Sequence, residues 1–233
     1  MENLFYAPEI SQNPVLPEEE SSHCARVLRL KKGDAITVTD GKGYFYKAVL
    51  QGVNSKQCPL QIIRTEYSTP DFTENIHIAV APTKNIDRME WFVEKATEVG
   101  ISQITFMRCQ HSERKEVNLS RIRKIAVSAM KQSQKAILPE INEIIDFKQF
   151  INQNFNGTKM IAHCENTDRQ PIKTVYSKHT DTIILIGPEG DFTSEEIQIA
   201  INHGFIPITL GNSRLRTETA ALTAFLAIHF INN

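Results

Sequence analysis

A single tryptophan, four cysteines and a formal net charge of −1 are what this 233-residue chain has least of. The cysteines, at 24, 58, 109 and 164, are far apart and form no Cys-x-x-Cys pair. That spacing excludes a disulfide framework and a zinc ribbon, so no metal centre is expected. No apolar run approaches the ~20 residues that cross a bilayer. The opening MENLFYAPEI has no basic segment leading into an apolar one, so no secretory signal is expected and a reducing cytoplasm is the expected compartment. Neither Gly-x-x-x-x-Gly-Lys-Ser/Thr nor Gly-x-Gly-x-x-Gly occurs, which removes the phosphate cradle of nucleoside triphosphates and the dinucleotide fingerprint. Near-neutrality removes any general attraction to polyanions.

What is present is pattern. A chain of this length buries roughly 70% of its unfolded surface, enough for a small domain joined to a medium one. Residues 1–70 are expected to form a small barrel-like β module. In AITVTDGKGYFYKAVLQ (35–51) apolar positions alternate on both sides of Asp40-Gly41-Lys42-Gly43, a hairpin signal. PLQIIRTEY (59–67) reads as a further strand, and a short helix is expected between Glu18 and Leu30, closed by Gly33. The polar STPDFTEN (68–75), with Pro70, reads as a linker. From 71 to 233 the texture becomes that of an α/β domain. Apolar, β-branched runs at IHIAVA (76–81), QITFM (103–107), KMIAHC (159–164), TIILI (182–186) and IPITL (206–210) alternate with helical periodicity. Asp87 and Glu90 read as a helix cap, and Gly100 as that helix's end. Over 118–134, Leu119, Ile122, Ile125, Ala126, Ala129 and Met130 share one face, with Arg121, Arg123, Lys124 and Lys131 largely elsewhere. Thr193 and Glu196 form a capping box before a helix that Gly204 stops. The expected fold is a mostly parallel α/β domain whose ligands sit at the carboxyl ends of its strands.

Charge is unevenly spread. Between Arg108 and Lys135 stand eight basic residues against Glu113 and Glu116, and a smaller group is Arg26, Arg29, Lys31 and Lys32. Two such clusters point to phosphates as a partner; one alone would be a solvated helix face. Two turns are candidates for a ligand. In Gly187-Pro188-Glu189-Gly190 the proline removes an amide and the glycines let the backbone approach closely, which suits the edge of a base or ribose better than a polyphosphate. The alternative is a plain strand-to-helix turn. The second turn, after Leu210-Gly211, packs Arg214, Arg216, Thr217 and Glu218 into the start of an almost wholly apolar helix. Cations at a helix start oppose its dipole, and such a broken rule marks a site. A salt bridge from Arg216 to Glu218 or Glu189 is the plainer reading. The apolar helix is expected to be buried in its own core or against a second subunit.

LIGPEGDFTSEEI, LGNSRLRTETAALTAF, RMEWFVEKATEVGISQI and HCARVLRLKKGD together resemble the RsmE family of ribosomal RNA methyltransferases, of the SPOUT superfamily, across essentially the whole chain. The resemblance implies an N-terminal PUA-like β-barrel and a C-terminal α/β domain with a trefoil knot, working as a homodimer on 16S rRNA of the small ribosomal subunit. It implies S-adenosylmethionine as cofactor, held by His163, by Ile186, Gly187, Pro188, Glu189 and Gly190, and by Leu210, Gly211, Asn212, Leu215, Arg216 and Thr217. Two departures stand out. Lys131-Gln132-Ser133-Gln134-Lys135 replaces the family's Glu-Gln-Ser/Cys-Gly-Arg, and Ser213 takes the place of an arginine.

The reaction the resemblance implies is methylation of a uridine N3. Arg216 is expected to stabilise charge on the base carbonyls, and Glu218 to orient Arg216 or accept the proton. RNA is expected to meet His23, Arg26 and Arg29 of the first module and Arg121, Lys124, Lys131 and Lys135 of the basic helix. His23 reads equally as a structural histidine. Methylation of a ribose hydroxyl on the same scaffold, and a non-catalytic RNA-binding assembly factor, are the alternatives.

Overall fold

Asp40 ends one strand and organises the turn to the next. Its carboxylate accepts from the Lys42 and Tyr44 amides at 2.8 and 3.2 Å and from the Tyr46 hydroxyl at 3.2 Å. Gly41 and Gly43 supply the left-handed φ values of 75° and 105° that the turn needs. The strands so joined, β3 (Ala35–Thr39) and β4 (Tyr44–Leu50), are the expected hairpin. With β1 (Leu4–Tyr6), β2 (Val15–Leu16) and β5 (Cys58–Tyr67) they form a five-stranded sheet of order β1-β3-β4-β5-β2. The computed structural model of the chain describes residues 3–70, 73–165 and 168–233; residues 71–72 of the expected linker lie outside them. The short helix α1 (Glu18–Ser22) runs into a single π turn, His23–Val27. It stops earlier than expected. Arg29, at φ 53°, turns the chain out, with the Leu30 amide on the Cys24 carbonyl, whereas Gly33 belongs to the following turn.

The chain divides into two compact units, Met1–Asp71 with Val127–Leu138, and Phe72–Ala126 with Pro139–Asn233. The hairpin tip explains why the second segment joins the first unit. The Gly43 amide donates to the Ala136 carbonyl at 3.0 Å, and the Leu138 amide to the Gly41 carbonyl at 2.9 Å. Lys131 reaches Glu20 at 2.5 Å. The divergent stretch 131–135 therefore runs from the last helical residues, Lys131 and Gln132, into a turn within this unit, with Gln134 at φ 56°.

The second unit carries a seven-stranded parallel sheet of order β10-β12-β9-β11-β6-β7-β8. The strands are β6 (Ile76–Val80), β7 (Gln103–Arg108), β8 (Glu140–Asp146), β9 (Thr158–Ala162), β10 (Gln170–Pro171), β11 (Thr182–Ile186) and β12 (Ile206–Thr209). Central β6 and β11 are buried at every position, as their unbroken apolar runs require. Helix α2 (Ile86–Val99) begins two residues earlier than expected, capped by Asn85, whose side chain accepts the Asp87 amide at 3.1 Å. Helix α3 (Leu119–Gln132), whose residues from Val127 on belong to the first unit, buries the expected face except for half-buried Ile125; α4 (Phe147–Ile151) and α5 (Ile172–Val175) are short, and α6 (Ser194–Asn202) has the Thr193–Glu196 capping box. Helix α7 (Thr217–Asn232) ends the chain. The chain leaving β11 passes over β9 to place β12 on its far side, so the carboxyl ends of β9, β11 and β12 lie side by side at a reversal of strand order.

One buried group links this sheet to pH. His77, on β6, is 5% exposed, bonds the Thr105 hydroxyl at 2.8 Å and meets the Phe150 ring edge-on. Burial pushes its pKa down to about 4. Below the ordinary histidine value the unfolded chain takes up a proton that the fold refuses, so stability is lost as pH falls from about 6.5 to about 4. The loss is about 3 kcal/mol at the lower end. His77→Gln, neutral throughout, is expected to remove that share of the slope in urea unfolding measured from pH 7 to pH 4.

Candidate functional site

Three loops leave the carboxyl ends of β9, β11 and β12 and close round a cavity of about 300 Å³, within the size range of small-molecule sites. The first contributes His163 and Cys164, with Arg169 beyond them. The second contributes Ile186, Gly187, Pro188, Glu189 and Asp191. The third contributes Leu210, Gly211, Ser213, Arg214, Leu215 and Arg216, leading into Thr217 of α7. Ten of the positions singled out from the sequence thus share one wall. Gly190 and Asn212 are not on it. Gly190 faces His111, whose Cβ would stand 3.1 Å from a Cβ at that position, and Asn212 is exposed. Asp191 and Arg169 were missed: an aspartate beside a glycine turn and an arginine beyond a strand end carry no periodic signal.

Asp191 holds the first two loops together. Its amide closes a turn onto the Pro188 carbonyl at 2.9 Å, its backbone takes φ 64°, and its carboxylate accepts from the Cys164 and Phe192 amides at 2.7 and 2.8 Å. Arg169 donates to the His163 carbonyl at 2.5 Å. At Gly187 an added Cβ would meet the ring and amide of Phe192 at 3.0–3.2 Å, and Phe192 is itself 3% exposed. The glycine therefore lets backbone and ring close-pack under the cavity floor. His163 is 5% exposed and both ring nitrogens are buried without a partner. Burial, the largest influence, lowers its pKa, so at neutral pH it is the uncharged imidazole, with one donor and one acceptor.

Arg216 and Glu218 do not pair. Among the described residues Arg216 has no ionic partner, and its backbone caps α7 with φ −72° and ψ 157°. Arg88 of α2 takes the position between the two carboxylates instead, 3.9 Å from Glu189 and 3.9 Å from Glu218. The plain salt-bridge reading of Arg216 fails for that reason, and so does an orienting contact from Glu218. Glu218 is 7% exposed, and its Oε2 has no hydrogen-bond partner.

Of the basic residues, His23, Arg26 and Arg29 are exposed in the first unit, with His23 edge-on to Phe5 at 6.3 Å. Arg121 is exposed but paired with Glu90, and Lys124 is exposed. Lys131 is taken up by Glu20 and Lys135 is half-buried, so both present less charge than their number in the sequence implies. Among the described residues no helix is long and apolar enough to cross a membrane.

A parallel sheet with a cavity at its order reversal, in a chain that also carries a small β unit, defines a class. The family model of the RNA methyltransferase domain matches residues 70–229, and that of the RNA methyltransferase PUA domain matches 16–63. Ribosomal RNA small subunit methyltransferase E of Buchnera aphidicola is 30% identical over 94% of this chain and 88% of its own. A probable rRNA-methyltransferase from Porphyromonas gingivalis superposes with a TM-score of 0.93 at 41% identity, covering 99% of this chain and 98% of that one. The ribosomal RNA small subunit methyltransferase E of Neisseria gonorrhoeae, solved bound to S-adenosyl methionine, gives 0.85 at 27% over 99% and 98%. The chain is an RNA methyltransferase by fold and sequence. It belongs to the ribosomal RNA small subunit methyltransferase E family.

Proposed function

We propose that this chain transfers a methyl group from S-adenosylmethionine to N3 of a uridine in 16S rRNA of the small ribosomal subunit. The cavity under β9, β11 and β12 is the observation that carries the reading. It is walled by backbone, a neutral imidazole and arginines, with no lysine-bearing phosphate loop, which fits a nucleoside bearing an amino acid. The relatives' names and the bound S-adenosyl methionine of the Neisseria gonorrhoeae protein support it. The loops 163–165, 186–191 and 210–217 would hold the cofactor. When bound, the cofactor would supply a methyl carbon made electrophilic by its sulfonium, whose sulfur can take back the C–S electron pair as a neutral thioether. Glu218, buried and with a bare oxygen, takes the N3 proton, and Arg216 stabilises charge spreading onto the base carbonyls. Aligning nitrogen and methyl carbon contributes up to roughly 7–11 kcal/mol.

RNA is held by Arg26 and Arg29 with His23 in one unit, by Arg121, Lys124 and Lys131 of α3, and by Lys135 beyond its end, the last two contributing less. A second copy of the chain is the other partner. Leu222, Leu226 and Phe230 lie at i, i+4 and i+8 on α7, outside its buried face, and Phe230 is 72% exposed. Sedimentation is expected to give a dimer that Phe230→Lys weakens.

Mapping methylated nucleotides of rRNA from cells with and without the protein tests the reading. One N3-methyluridine in 16S rRNA is expected to disappear. A ribose 2′-O-methyl, or no change, overturns it. RNA affinity is expected to fall about tenfold or more between 50 and 200 mM salt, because releasing condensed counterions gains less free energy at higher salt. A flat response removes the basic residues from the interface.

A further inference from the structure

The Arg88 position has a consequence for the substrate. Beside the cofactor cavity lies a second recess of about 300 Å³, lined by Asp87, Arg88, Trp91, Arg216, Glu218 and Thr219. The two cavities share Arg216. The recess combines three features. Trp91 is 41% exposed and is the chain's only tryptophan. Two guanidinium groups, Arg88 and Arg216, stand on its wall. Glu218 lines it while being 93% buried by difference from its 7% exposure, and its Oε2 lacks any donor.

We propose that this recess receives the unstacked target base and selects uracil over cytosine. The inference rests on the methyltransferase reading above. A base has to leave its stack to meet a methyl donor, and an exposed aromatic ring replaces the lost stacking. Uracil presents carbonyl, N3–H and carbonyl along one edge. The carboxylate of Glu218 is acceptor-only, so its free oxygen matches N3–H, and the guanidinium donors match the carbonyls. Cytosine presents an unprotonated N3, whose lone pair would face that carboxylate, and an amino group that would face an arginine. A buried acceptor left facing an acceptor is what gives polar sites their discrimination. The same contact that recognises N3–H is the one through which the proton leaves, so selection and activation use one atom pair.

Trp91 reports directly on occupancy, because no other indole contributes to emission. Full-length protein is titrated with hexauridylate and hexacytidylate, without cofactor, and tryptophan emission is followed. Saturable quenching by hexauridylate at concentrations about tenfold below those needed for hexacytidylate is expected. Glu218→Gln, whose carboxamide both donates and accepts, is expected to erase that preference while keeping the quenching. In methyl transfer to small-subunit rRNA, Trp91→Ala is expected to raise KM for RNA about tenfold with kcat changed less, and Trp91→Phe to restore it. Equal quenching by both oligonucleotides overturns the proposal. So does emission that changes on dilution of the protein but not with RNA, which would assign Trp91 to contact between copies of the chain. Wild-type protein that methylates rRNA but shows no selective quenching removes the recess and leaves the activity standing. Selective quenching with no methyl transfer supports the recess and removes the activity.

Discussion

Arg216→Ala is expected to slow methyl transfer by about 10²–10³-fold while changing cofactor affinity, measured by calorimetry, by no more than about tenfold. The split follows from what surrounds the side chain. Arg216 has no carboxylate partner among the described residues, so removing it strips no partner of a buried counter-charge. It stands on the wall common to two cavities, where its charge counts most when negative charge builds on the base during proton loss. An effect confined to the transition state lowers kcat without a matching rise in KM. Glu218→Gln tests the other half. Its residual rate is expected to climb with pH, as hydroxide replaces the carboxylate in removing the proton, whereas the Arg216→Ala profile keeps the wild-type shape. A near-wild-type rate in Arg216→Ala removes that residue from the chemistry, and parallel pH profiles in the two variants remove Glu218 as base.

Gly157→Ala is expected to unfold the second unit at a temperature roughly 8–16 °C below wild type, from a cost of about 4 kcal/mol. Gly157 has φ 142°, a region that L-residues rarely adopt, and a Cβ there would overlap the carbonyl oxygen of Asp181 and stand 2.8 Å from its carbon. That carbonyl accepts the Thr158 amide at 2.8 Å, which aligns the starts of β9 and β11 and hence the loops at their other ends. Gly204→Ala is the control. Gly204 has φ 83° with nothing within 4 Å, so only backbone strain of about 1 kcal/mol applies. Calorimetric scans of the two variants that coincide would show that the contact at Gly157 relaxes without cost.

Local signals read correctly where a few neighbouring residues decide the outcome. Asp40 to Gly43 specified its hairpin because both the side-chain acceptor and the left-handed glycines lie within the turn. Thr193 and Glu196 specified their capping box for the same reason. Arg216 stood out because a cation at a helix start opposes the dipole, and Gly187 because it interrupts an apolar run with a turn. Strands β8 and β10 were not anticipated. They are the two edges of the sheet, where EINEIID and QP have no need of a continuous apolar run. The helix cap was misplaced at Asp87 because Asn85, two residues earlier, competes with equal chemistry. Arg88 was invisible for a different reason. Nothing near it in the chain indicates that the glycine turn and the start of α7 will bring two carboxylates to it. Contacts of that kind exist only once the sheet order has been made.

The Asp191 clasp bears on how the enzyme finishes a cycle. One carboxylate already pins two of the three walls, so a visiting nucleoside meets a finished mould and little freedom is lost on its arrival. Such a mould grips what donor and spent donor have in common, and it has scant means of telling them apart. Product inhibition by the thioether is then the expected behaviour, and sustained turnover would need that by-product kept scarce.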